Sequence, residues 1–157
     1  MSGLLVPDPS IGCTNEVTRQ LVAAAFRTIR RRYVMARHQI AAALLDADGQ
    51  VHVGLHVDAM VGRAAVCAEA GALSAARLVT DAELIAVAAV RYPKPTEAPT
   101  AKVVPPCGLC RELLFDHAPG LVAVISRPDG GTELTALGSL LPHKYVGSKW
   151  PAPVLPS

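Results

Sequence analysis

The stretch VCAEAGALSAARLV, residues 66–79, and its counterpart PPCGLCRELLFDHAPG, residues 105–120, decide how this chain folds. Each reads as a helix opening on a cysteine, and the spacing predicts helices over 65–79 and 107–117. Between them, LIAVAAV at 84–90 has no polar alternate position, which predicts a strand covered on both faces. Such a strand needs helices above and below it, so the fold class expected is a layered α/β domain.

Working outward toward the N-terminus, Val17, Leu21, Ala24, Ala25 and Thr28 recur at helical spacing over 15–32, behind Thr14 or Asn15 as cap. Arg30, Arg31 and Arg32 fall in its last turn, where cations offset the helix dipole, and no function is assigned to them. Residues 39–45 and 50–57 predict two antiparallel strands joined by the turn Asp46-Ala47-Asp48-Gly49. Along the second, Val51, Val53, Leu55 and Val57 alternate with His52, Gly54, His56 and Asp58, predicting one buried face and one polar face. Toward the C-terminus, 121–126 and 132–135 predict two further strands. The five residues between them are too few for a parallel crossover, so this pair is expected to be an antiparallel hairpin. One domain is expected over 1–157, with irregular tails at 1–13 and 147–157; three prolines fall among the last seven residues.

Composition narrows the function. Hydrophobic residues make up 51% and charged residues 18% of 157, which excludes a disordered chain. A chain of this size buries roughly 70% of its unfolded surface and needs no disulfides to stabilise it. The unbroken apolar run Leu84 to Val90 is far short of the roughly 20 residues that span a bilayer. MSGLLVPDPS lacks the basic and apolar regions of an export signal, so a soluble cytoplasmic protein without a membrane partner is expected. A net charge of +2 and 4% aromatics argue against a nucleic-acid partner and for a small, nearly uncharged ligand. The four cysteines, at 13, 67, 107 and 110, therefore read as thiols, with Cys13 free near the first helix. His38, His52, His117 and His143 belong to no cluster and read as ordinary surface or loop residues.

The chemistry lies in Cys67-Ala68-Glu69 and Pro106-Cys107-Gly108-Leu109-Cys110. A helix N-terminus favours thiolates, the metal-binding form of cysteine, so two such ends converging would gather three sulfurs. Zn²⁺ held by three protein ligands keeps a fourth position open for water, the mark of a catalytic rather than a structural site. Glu69, two residues from Cys67, is placed to act as general acid and base without being a ligand. Two other readings stand beside this one: a redox pair, or a structural zinc site closed by Cys13 or a histidine.

Cys-Ala-Glu followed by Pro-Cys-x-x-Cys resembles the zinc-dependent cytidine deaminase superfamily, whose general signature is well known. The resemblance runs from about His38 to Tyr145 through IAAALLDADGQVHVGLHVD, VCAEAGALSAA, VVPPCGLCREL and SLLPHKY, and within the superfamily it is nearest the bacterial blasticidin S deaminases. It implies a three-layer α/β/α fold on a five-stranded mixed sheet, the last strand antiparallel. It also implies a Zn²⁺ held by Cys67, Cys107 and Cys110 with Glu69 as proton shuttle, a homotetramer, and a free nucleoside or nucleoside antibiotic as substrate. Where cytidine deaminases have Asn-x-Glu to bind ribose hydroxyls, this chain has His56 and Asp58, similar to the bacterial blasticidin S type. His56 and Asp58 are thus expected to bind substrate, and Tyr145 to line a pocket, including that of a neighbouring subunit. Many cytidine deaminases follow Cys-Ala-Glu with Arg; here the residue is Ala70, leaving Arg63 or Arg111 to offset the thiolate charge.

Overall fold

A computed structural model describes residues 5–150. The prolines from Pro151 onward lie outside the described residues. Helix α1 (Glu16–Arg32) starts where Asn15 accepts from the Thr18 N–H at 3.0 Å and ends in Arg30, Arg31 and Arg32. Its apolar stripe of Leu21, Val22, Ala25, Phe26 and Ile29 is buried. Strands β1 (Ile40–Asp46) and β2 (Val51–Leu55) form the predicted antiparallel hairpin, with Gly49 at φ +81° in its turn. Helix α2 (Ala68–Arg77) leads to β3 (Leu84–Arg91), a short β4 (Lys102–Val104), α3 (Gly108–His117), and the closing hairpin β5 (Val122–Ser126) and β6 (Thr132–Ala136).

The sheet order is β2-β1-β3-β5-β6, with β4 also paired to β3. Only β3 and β5 run parallel; the other pairs are antiparallel, including the last hairpin. Helix α1 covers one face, over Ala41, Ala43, Ala86, Ala88 and Val90, and α2 and α3 cover the other, over Ala42, Leu44, Val87, Ala89 and Ala123. The alternation of these residues along β1 and β3 is the physical content of a strand with no polar face, and the three-layer expectation holds.

Three details correct the sequence reading. The sheet has six strands, not five, because Lys102 to Val104 pairs antiparallel with Arg91 to Ala89. The second helix starts at Ala68 rather than Ala65, since Val66 is held extended by two backbone bonds to Val57, at 2.9 and 3.0 Å. Nor does β2 have one buried and one polar face. As an edge strand it is only partly covered by α1, leaving Val53 41% exposed between the half-buried Val51 and Leu55, while Gly54 on the opposite face is buried under α2. A Cβ at Gly54 would lie 2.1 Å from the Ala72 nitrogen and 2.2 Å from the Ala68 oxygen, so α2 rests directly on the strand backbone. No helix among the described residues is long and apolar enough to cross a membrane.

Candidate metal centre

Two chain segments deliver the cysteines. Val57 and Val66 bridge the end of β2 to the start of α2, and Cys67 occupies the N-cap of α2. On the other side, β4 carries the chain through Pro105 and Pro106 to Cys107, the N-cap of α3. Proline suits this approach, being compatible with extended backbone and needing no N–H partner. Arg111 secures it: its Nε donates to the Pro106 oxygen at 2.8 Å and its Nη1 to the Leu140 oxygen at 3.0 Å. Cys110 follows one turn into α3 and is 1% exposed, whereas Cys67 is half-buried and Cys107 exposed.

The three sulfurs lie within 4.8 Å of one another, the one such metal-capable group among the described residues. Cys67 Sγ and Cys107 Sγ are 3.7 Å apart. That is too long for a disulfide, about 2.05 Å, and it matches the edge of a tetrahedron of about 3.8 Å that Zn–S bonds of about 2.3 Å generate. The donor set thus fits a zinc ion. Neither cap sulfur bonds a helix N–H, which leaves both free to point at a common centre. Cys13 lies elsewhere, buried against Pro9 and Thr132. This arrangement disfavours the reading in which Cys13 closes the shell.

Glu69, in the first turn of α2, is 6% exposed, and its Oε2 accepts from Cys110 Sγ at 3.6 Å. Burial pushes its carboxyl up from the ordinary range, opposed by hydrogen bonds from its own backbone N–H and Cys110 and by the nearby imidazole of His56. Burial also pushes the Cys67 and Cys110 thiols up; a hydrogen bond with Cys110 opposes this at Cys67, while Cys107 and the charge of Glu69 add to it at both. Without a cation, Cys67 and Cys110 thus favour the protonated form.

His56 reaches the vicinity of Glu69 because its N–H still bonds to the Ile40 oxygen at 2.9 Å, continuing the β2 ladder one residue beyond the strand. Its Nδ1 is buried without a partner. His38, read as an ordinary surface residue, instead places Nδ1 2.9 Å from the His56 oxygen. Asp58 is half-buried: its N–H donates to the Arg37 oxygen and its Oδ1 accepts from the Ala59 N–H at 2.8 Å. Tyr145 is 79% exposed and lines a hollow of about 290 Å³ with Glu112, Asp116, Lys144 and Trp150, none of them part of the cysteine cluster. Lys144 anchors this segment on α3, 2.8 Å from Glu112 and 2.9 Å from Asp116. Neither proposed guanidinium bonds a sulfur: Arg111 is committed to carbonyls and Arg63 is exposed. His52, also read as a surface residue, has Nε2 2.7 Å from Oδ2 of the buried Asp46. The signal available for it was Asp46 itself, an acid ending an otherwise apolar strand.

No profile of a known protein family matches the chain. Individual proteins do. It is 35% identical over 128 residues to a blasticidin-S deaminase of Bacillus cereus, covering 81% of this chain and 91% of that protein. It is 30% identical over 130 residues to a cytidine deaminase of Halalkalibacterium halodurans, covering 82% and 93%. Among solved structures, the cytidine deaminase of Mycobacterium tuberculosis superposes with a TM-score of 0.65 at 27% identity, covering 81% of this chain and 95% of that one. The fold is also that of the Bacillus anthracis cytidine deaminase, with a TM-score of 0.70 at 23% identity over 83% and 90% of the two chains. With paired cysteine-capped helices, a buried glutamate beside them and relatives matched over most of their length, the chain belongs to the cytidine deaminase superfamily.

Proposed function

We propose that the protein is a zinc-dependent hydrolytic deaminase that converts the cytosine ring of a free nucleoside or nucleoside antibiotic of the blasticidin S type to uracil, releasing ammonia. The observation that carries this reading is the buried carboxylate of Glu69 beside three cysteine sulfurs gathered within 4.8 Å of one another. Cys67, Cys107 and Cys110 would hold the ion, which when bound supplies a Lewis acid that lowers the pKa of water. With three thiolates its net charge is −1, so that effect is weaker than with neutral histidines and a strong local base is needed.

Glu69 is that base. Its carboxylate accepts a proton from the attacking water and passes it to ring N3, making C4 electrophilic. After attack at C4, Glu69 transfers the second water proton to the exocyclic amine, which leaves as ammonia while the C4–O bond becomes the uracil carbonyl. Burial suits the residue to both roles, since it raises the carboxyl above the ordinary range and so strengthens it as a base that can still return the proton. His56 and Asp58, at the end of β2, are proposed to hold the sugar side of the substrate. Tyr145, exposed on this protomer, is proposed to reach a pocket across a subunit contact in a homotetramer. The greater identity to the blasticidin-S deaminase, 35% against 30%, supports proposing blasticidin S ahead of cytidine and deoxycytidine.

The test incubates the purified protein with blasticidin S, cytidine and deoxycytidine separately, following ammonia release and cytosine absorbance for wild type and Glu69→Gln. Turnover of blasticidin S that vanishes in the variant is expected. Turnover of none refutes the enzyme reading, and turnover of cytidine alone reverses the substrate order.

A further inference from the structure

Outside the metal centre, positive charge is concentrated in one place. Arg27, Arg30, Arg31 and Arg32 of α1 line a groove of about 900 Å³ floored by Ala24, Thr28, Val51 and Val53. Although the chain carries a net charge of only +2, none of these four guanidiniums has a carboxylate partner among the described residues.

The groove runs along an open sheet edge. Strand β2 is terminal and pairs with β1 alone. The Gln50 carbonyl accepts from Asp46 and the His56 N–H donates to Ile40, so even-numbered residues direct their backbone groups at β1. Val51, Val53 and Leu55 therefore turn theirs outward. Farther along, the Val57–Val66 bridge closes the edge, so the open strip is 51–55, beside the arginines.

We infer that this strip docks an extended acidic segment of a partner protein, which adds a strand to β2 while its carboxylates pair with the arginines of α1. Three features select that occupant. An outward row of N–H and C=O groups is matched by another strand. Val53, exposed on the α1 face beside the arginines, leaves room for the side chains that an added strand directs to that face at alternate positions. Guanidinium groups match carboxylates through paired hydrogen bonds. A polyphosphate would answer only the last of these. A second copy joined edge to edge about a two-fold axis would bring two arginine sets together, so like-charge repulsion opposes self-pairing.

The test uses the full chain and an eight-residue peptide alternating glutamate with valine. We expect binding that weakens with salt and slows amide exchange at Val51, Val53 and Leu55. Arg27→Glu combined with Arg31→Glu should weaken it at least about tenfold, the loss expected for removing one or more charge-assisted hydrogen bonds. Val53→Pro removes an outward N–H at a position where an edge strand tolerates proline, and should abolish binding with the metal site intact. If the double variant fails to fold, Val53→Pro alone decides. Unprotected β2 amides, equal binding of the lysine–valine peptide, or preference for inorganic polyphosphate or RNA over the acidic peptide would each overturn the inference.

Discussion

Replacing Gly54 by alanine tests whether the metal centre depends on how closely α2 lies on β2. The added Cβ would meet the Ala72 nitrogen at 2.1 Å, the Ala68 oxygen at 2.2 Å and the Gly71 carbonyl carbon at 2.7 Å, all of them backbone. Ordinary contact begins at 3.4 Å, so helix and strand must part by about 1.3 Å. Over-packing of this kind costs about 1–3 kcal/mol, occasionally more. For a chain of this length that lowers the melting temperature by about 3–10 °C. The specific expectation concerns the ion. Helix α2 carries Cys67 and Glu69, while α3, anchored separately through β4 and Arg111, carries Cys107 and Cys110. Metal ligands tolerate errors of about 0.2 Å, so a shift of α2 alone should spoil the three-sulfur geometry and lower zinc affinity beyond the stability loss. Thermal unfolding with and without zinc, together with competition against a chromogenic chelator, reads both quantities. A variant with wild-type melting temperature and zinc affinity would refute the reasoning.

Glu69→Gln should keep the fold and zinc content yet lower kcat by about 10²- to 10⁴-fold, the range of general acid–base catalysis, as measured by ammonia release. Chelation should abolish turnover while far-UV circular dichroism stays largely unchanged; loss of the fold on chelation would instead show a structural ion. Because burial pushes the Cys67 and Cys110 thiols up, loading zinc must displace protons, so affinity should rise with pH and zinc addition should acidify an indicator solution. Asp46 titrates below its ordinary value of 3.8, chiefly through its hydrogen bond with His52. A depressed acid stabilises the fold above the unfolded value and loses that contribution as pH falls through the folded one. The stability advantage of wild type over Asp46→Asn in urea should therefore be full near neutrality and disappear below pH 3.8.

Each half of the cysteine cluster was legible in sequence because its geometry is local, whereas the meeting of the two halves is set by the sheet. Cys67 and Cys107 each sit where a helix begins, and Glu69 and Cys110 follow within the same first turn, so spacing along the chain already fixes most of their relation. The β5–β6 hairpin was legible for a similar reason, the short Arg127–Gly131 connection permitting one geometry. What sequence hid was set by neighbours distant in the chain. Strand β4 has three residues and no period to detect; its pairing with Ala89 to Arg91 makes it a strand. The faces of β2 were misread because alternation cannot say which helix reaches an edge strand, nor that Gly54 is the contact point for α2. His52 looked solvated because its partner, Asp46, stands across a turn.

The arrangement of the sulfurs also bears on unfolding. Cys67 and Cys107 are 40 residues apart and sit on helices held by different strands, so an ion joining them would act as a stitch across the domain. It would close a loop comprising α2, β3 and β4, much as a covalent cross-link does, and would suppress separate opening of the two helices. The same atoms that serve the chemistry would thereby set how far the two halves of this layer can breathe apart.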